Sequence, residues 1–161
     1  MTDQEFRSKL QSAEENPNDV SAAVAGLSDA ALRYKPAPNK WCILEILGHL
    51  ADVEIVYGHR LRQMIAQKDS VISPMEQDAW ARHLGYVETA PAEFLEIYQL
   101  NRRANMRLLR RLRPEDLGKT AFHPELNRNF TLAELIERLV AHGPNHLGQI
   151  ERLKLQAKAS A

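Results

Sequence analysis

The sequence predicts an all-α fold, a four-helix bundle with a long crossover connection. Three observations predict it. Apolar residues recur at spacings of three and four in long stretches, no run of alternating β-branched residues marks a sheet, and some helical stretches are separated by long connections. The 161 residues read as a single domain, 1–161, long enough to bury a hydrophobic core.

The first helical region runs from about Gln4 to Leu27, with a break expected at Asn16-Pro17 in the turn signal NPND. Ser28 then caps a short turn, and KPAPNK is a connector in which proline disfavours continuous helix. A second long helix extends from about Cys42 to Gln67, with Ile43, Ile46, Leu47, Leu50, Tyr57, Leu61, Met64 and Ile65 on its apolar stripe. Lys68 to Thr89 forms a long connection holding one short helix, QDAWARHL. A third long helix starts near Pro91, a good first-turn residue, turns Phe94, Leu95, Tyr98, Leu108, Leu109 and Leu112 inward, and ends before Pro114. The last long helix has the clearest start. Thr131 and Glu134 make a capping box, Phe130 and Leu135 a hydrophobic staple, and the helix continues to about Gln156.

Charge and composition narrow the function. Apolar residues make up 44% and charged residues 26%, and Lys plus Arg equals Asp plus Glu at 21 each. No global field therefore steers the chain toward nucleic acid or an anionic membrane. The arginines 102, 103, 107, 110, 111 and 113 read as a solvated helix face. Cys42 stands alone, so no internal disulfide forms, which fits a reducing compartment. The N-terminal residues lack the apolar run of a signal peptide and no stretch approaches the ~20 apolar residues of a membrane span, so a cytoplasmic protein is expected.

The inward line of the last helix reads Leu132, Leu135, Leu139, His142, His146, Ile150, Leu153. Two histidines occupy places where leucine belongs, four residues apart and on one face. Imidazoles aimed into a bundle need partners. A divalent metal is one, and hydrogen-bonded neighbours in a plain helical core are another. His49, at the edge of the second helix's stripe, is the candidate for a third ligand, and Gly48 beside it would ease close helix approach. His59 lies about 15 Å further along the same helix, too far to share one ion. His83 and His123 fall in connections. Asp52 and Gln149 are placed to orient an imidazole, with a solvated role the alternative for Asp52. Glu54 lies about 140° around the helix from His49 and suits an arginine on another helix. Cys42 has nothing beside it to depress its pKa, and Trp41 and Trp80 read as core or interface aromatics.

KWCILEILGHLADVE, followed later by LAELIERLVAHGPNHLGQIERL, resembles the DinB/YfiT-like superfamily of metalloenzymes. The likeness extends through GLSDAALRYKPAPNKW, DAWARHLGY and FHPE. It implies a four-helix bundle with a long crossover and a metal site of three histidines, here His49, His142 and His146. Two places depart from the family pattern. Cys42 stands where serine is usual at the start of the second helix, leaving Glu45 to bond the free backbone donors. Pro144 stands between the two ligands of the last helix, where it is expected to kink the helix and tilt His146 relative to His142.

Three histidines leave a coordination position open, as catalytic sites do. The resemblance implies a divalent metal (Zn, Ni, Mn or Fe) that activates a small-molecule thiol, such as bacillithiol or mycothiol, for S-transfer to an electrophile. The alternatives are hydrolysis by metal-bound hydroxide and a non-catalytic metal-binding stress-response protein. Homodimerisation is a further expectation, because the superfamily often forms dimers.

Overall fold

A computed structural model describes residues 3–160. Four long helices form a bundle: α1 (Asp3–Val24), α3 (Ile43–Ala66), α5 (Pro91–Leu109) and α6 (Leu132–Ala159), with short helices α2 (Asp29–Arg33) and α4 (Gln77–His83) in the connections. Helices α1 and α3 each pack on both α5 and α6. Consecutive long helices α1 and α3 thus stand on opposite corners, as do α5 and α6, so the bundle has crossovers.

The helix starts follow their sequence signals. Ser28 Oγ accepts from Ala31 N–H at 3.2 Å to begin α2. At α3, the Glu45 carboxylate accepts from Cys42 N–H at 2.8 Å, satisfying one of the free backbone donors at the helix start. At α6, Thr131 Oγ1 accepts from Glu134 N–H at 3.2 Å while Glu134 accepts from Thr131 N–H at 2.8 Å, the reciprocal capping box. Phe130 and Leu135 are both buried in one cluster, as a staple requires.

The all-α four-helix bundle is as expected, and two expectations are corrected. First, α1 does not break at Asn16-Pro17 but runs through Pro17. A proline there removes the donor for the Ala13 carbonyl, and the Arg102 guanidinium replaces it, with Nη1 donating to Ala13 O at 2.6 Å. Second, Arg102 does not belong to a solvated face: its side chain is fully buried. Arg103, Arg107, Arg110, Arg111 and Arg113 are exposed as expected. The all-α bundle carries one small addition. A small sheet joins β1 (Ser70–Val71), parallel to β2 (Thr120–His123), which pairs antiparallel with β3 (Arg128–Thr131). Thr120 lies opposite Thr131 and His123 opposite Arg128, and Asn127 at φ 46° helps turn the hairpin. The sheet leads β3 directly into α6. No helix among the described residues is long and apolar enough to cross a membrane.

The buried apolar residues form two clusters. One gathers Val20, Ile43, Leu47, Leu50, Phe94, Ile150 and Leu153; the other gathers Leu10, Leu61, Met64, Met106, Leu135 and Leu139. Between them every long helix contributes a polar residue: Asn16 from α1, His49 and Glu54 from α3, Arg102 and Asn105 from α5, His142 from α6. His142 is half-buried and the others are buried; such burial demands partners, and most have them. Arg102 Nη2 donates to Glu54 Oε1 at 2.7 Å and to Tyr98 Oη at 3.1 Å. Asn105 Nδ2 donates to Glu54 Oε2 at 3.0 Å, and Tyr98 Oη donates to Asn16 Oδ1 at 2.8 Å. Glu54 is therefore the interhelical arginine partner that its angular position indicated.

Candidate metal centre

The histidines sit in this polar layer, where α3 faces α6. The ligand-capable nitrogens of His49, His142 and His146 all lie within 4.8 Å of one another. His49 Nε2 and His142 Nε2 are 3.0 Å apart. The rings stand 4.5 to 4.9 Å apart between centroids and are mutually tilted, so edges converge rather than faces stacking. His59 and His83 are exposed and remote, and His123 lies against Phe130 at a ring separation of 5.7 Å.

Gly143 lets α6 reach this position. A Cβ there would fall 2.0 Å from Asn16 Oδ1 and 2.6 Å from Tyr98 Oη. Only a residue without a side chain lets α1 and α5 press this close beside His142. Gly48 has a similar role, but its neighbour is the Tyr86 ring in the connection after α4, 2.5 Å from an added Cβ, and not another helix. Pro144 is exposed and α6 continues through it, and nothing in the structure explains its presence.

Burial sets the protonation state. Desolvation, then the nearby His146, pushes His49 down to about 3. Desolvation, followed by the charges of His146, His49 and Arg102, pushes His142 down to about 2. His146 is lowered by burial, against an opposing hydrogen bond to Gln149. All three are neutral near pH 7, the state in which imidazole donates a lone pair.

The donor set fits a first-row divalent ion. His146 Nδ1 lies 3.0 Å from Gln149 Oε1; donation of its N–H to that oxygen leaves Nε2 as a lone pair. His49 Nδ1 and His142 Nδ1 are buried without a hydrogen-bond partner. The two Nε2 atoms share at most one proton across their 3.0 Å contact, whereas a cation would engage both lone pairs. Gln149 thus occupies the orienting role its position suggested. Asp52 does not, since it accepts from Tyr86 Oη at 2.6 Å. Trp41, read from sequence only as a core or interface aromatic, lies against His49 at a ring separation of 4.9 Å. Cys42 is buried and its thiol is raised by desolvation, consistent with a structural residue.

Known proteins share this architecture. A candidate metal-dependent hydrolase of Oceanobacillus iheyensis is 27% identical over 145 residues, covering 89% of this chain and 83% of the relative. A protein of the same description from Bacillus mycoides is 26% identical, covering 90% and 83%. Among solved structures, YfiT from Bacillus subtilis, described as "a probable metal-dependent hydrolase with an unusual four-helix bundle topology", superposes with a TM-score of 0.91 at 22% identity, covering 97% of this chain and 89% of YfiT. A mycothiol-dependent maleylpyruvate isomerase superposes with a TM-score of 0.67 at 11% identity, covering 94% and 67%. At these identities the structural matches speak to fold. Residues 12–150 match the DinB superfamily, and the chain belongs to it.

Proposed function

We propose that the protein is a metal-dependent enzyme in which His49, His142 and His146 hold a divalent cation, and that it activates a small-molecule thiol for S-transfer to an electrophile. The observation that carries this reading is three converging neutral imidazoles with, among the described residues, no uncommitted carboxylate beside them. Asp52 is bonded to Tyr86, Glu54 to Arg102 and Asn105, and Glu45 to Cys42 N–H and Lys35. A divalent cation supplies Lewis acidity that favours the deprotonated form of a thiol or of water. A thiol acidified in this way needs no separate base, which suits a site without one.

The chain's own residues then have definite tasks. Gln149 fixes the tautomer and orientation of His146, Trp41 shields His49 from solvent, and burial keeps the three rings unprotonated. In the transfer, the thiol's S–H bond breaks and an S–C bond forms, and the electrophile's leaving group departs with the proton. Hydrolysis is the second reading, supported by the description of the relatives as metal-dependent hydrolases.

Elemental analysis of tag-free wild type beside His142→Ala tests the site. About one metal per chain, lost in the variant, is expected. No metal in either after incubation with Zn, Ni, Mn and Fe would return the histidines to the core. With metal bound, turnover of electrophiles only when thiol is supplied supports S-transfer, and thiol-independent ester or amide cleavage supports hydrolysis. Full loading without turnover would leave a metal-binding protein.

A further inference from the structure

We propose that the recess between the α2–α3 connector and the C-terminal half of α6 binds the carboxylate of a small organic anion through Lys40 and Arg152. The proposal deepens the functional reading, on which it rests for what the anion does there, but the binding itself requires no metal.

The recess has a volume of about 470 Å³ and is lined by Lys40, Trp41, Gln149, Arg152 and Gln156 among others. Two of these side chains also touch the histidines. The Trp41 ring lies 4.9 Å from that of His49, and Gln149 bonds His146 at 3.0 Å. A ligand in the recess therefore shares walls with the histidine cluster.

Its charge is one-sided. Lys40 and Arg152 make no ion pair among the described residues, and no acidic side chain lines the recess. Neighbouring cations are paired: Lys35 with Glu45 at 2.7 Å, Lys154 with Glu151 at 2.9 Å, Arg33 with Asp29 at 2.8 Å. Three other recesses each include a carboxylate, from Glu14 beside Arg103, from Glu14 and Glu15 beside Arg110, and from Asp69 at the sheet. In a chain with 21 cationic and 21 acidic residues, this local excess marks a place for an anion.

The donors favour a carboxylate. The Arg152 guanidinium stands over Gly148, with Nη1 3.6 Å from where a Cβ would be, and offers the planar fork that matches two carboxylate oxygens. Gln149 commits its carbonyl oxygen to His146, so its amide nitrogen is the end left for a ligand. Trp41 supplies an apolar wall for the ligand's carbon skeleton. A phosphate site would draw on free backbone donors at a helix start, but at α3 the Cys42 N–H is already taken by Glu45.

Calorimetric titration of chelator-treated protein with glutarate, with its neutral diamide and with inorganic phosphate is the first test. Glutarate should bind, the diamide should not, and phosphate should bind more weakly. Lys40→Gln and Arg152→Gln should each weaken glutarate about tenfold, while Lys154→Gln, removing a cation already paired with Glu151, should change nothing. Equal binding of glutarate and diamide, tighter binding of phosphate, no binding of glutarate, or full binding by the Lys40→Gln/Arg152→Gln double variant would overturn the proposal. Circular dichroism confirms that the variants fold.

Cobalt(II)-loaded protein separates this idea from the functional reading. 3-Mercaptopropionate should give the sulfur-to-cobalt absorption at lower concentration than 2-mercaptoethanol, and the double variant should erase the difference. Equal response of wild type to both thiols overturns the carboxylate site and leaves thiol activation standing. Glutarate binding by a protein that takes up no metal does the reverse.

Discussion

At the scale of single residues, the three histidines tie stability to pH. Each has its folded pKa lowered by burial, so below the ordinary value of 6.5 the unfolded chain binds more protons than the folded one. Their contribution is intact above about pH 6.5 and is lost as pH falls toward the folded values. Metal-free protein should lose up to about 1.4 kcal/mol per pH unit for each histidine in this window, read from urea midpoints between pH 7 and 5. His142→Gln should flatten the slope. Gly143→Ala tests the close approach beside the same ring. Its methyl cannot fit against Asn16 and Tyr98 without movement, so a loss of about 1–3 kcal/mol is expected, together with weaker metal uptake. The seam of α6 made the positions of His142 and His146 legible, since histidine in a leucine line is a visible interruption. Asn16 and Tyr98 were not legible as their neighbours, because a polar contact between helices leaves no periodic trace.

Whole elements were legible where their ends carry chemistry. The capping box at Thr131 and Glu134, the first-turn Pro91 and the Ser28 cap each place a boundary seen in the fold. Thr131→Ala should destabilise by about 1 kcal/mol, measured by thermal or urea unfolding. Glu134 is held at about 2 by Arg128 first and then by Thr131 N–H. A depressed carboxylate adds stability above its unfolded pKa of about 4.5 and loses it as pH falls toward 2. Glu134→Gln should remove that acid-side dependence, a change visible in unfolding midpoints between pH 5 and 2. The sheet was hidden by its size, because strands of two and four residues are too short to establish an alternation. The unbroken α1 was hidden for another reason: Pro17 signals a stop locally, and only the distant Arg102 reverses it.

Over the whole molecule, the bundle was legible and the division of its core was not. Summed helical periodicity reports which faces turn inward, but it does not report that a polar stratum separates two apolar ones. Glu54 and Arg102, both fully buried, bind that stratum together. Removing one partner leaves a buried charge unanswered, so Glu54→Leu or Arg102→Met should cost about 3–5 kcal/mol. The double variant Glu54→Leu/Arg102→Met should recover much of the loss, and a double-mutant cycle on unfolding free energies measures the coupling.

Pro17 gives this stratum a history that can be read in descendants. The proline frees the Ala13 carbonyl, and Arg102 takes it up from across the bundle while Glu54 balances the charge. None of the three is neutral to change alone. A lineage that replaced Pro17 would restore the helical bond at Ala13 and deprive the guanidinium of an acceptor, and one that lost Arg102 would strand both a carbonyl and a carboxylate. The three positions should therefore be inherited as a block, exchanged together or retained together, and an alignment of DinB relatives in which they vary independently would refute that linkage.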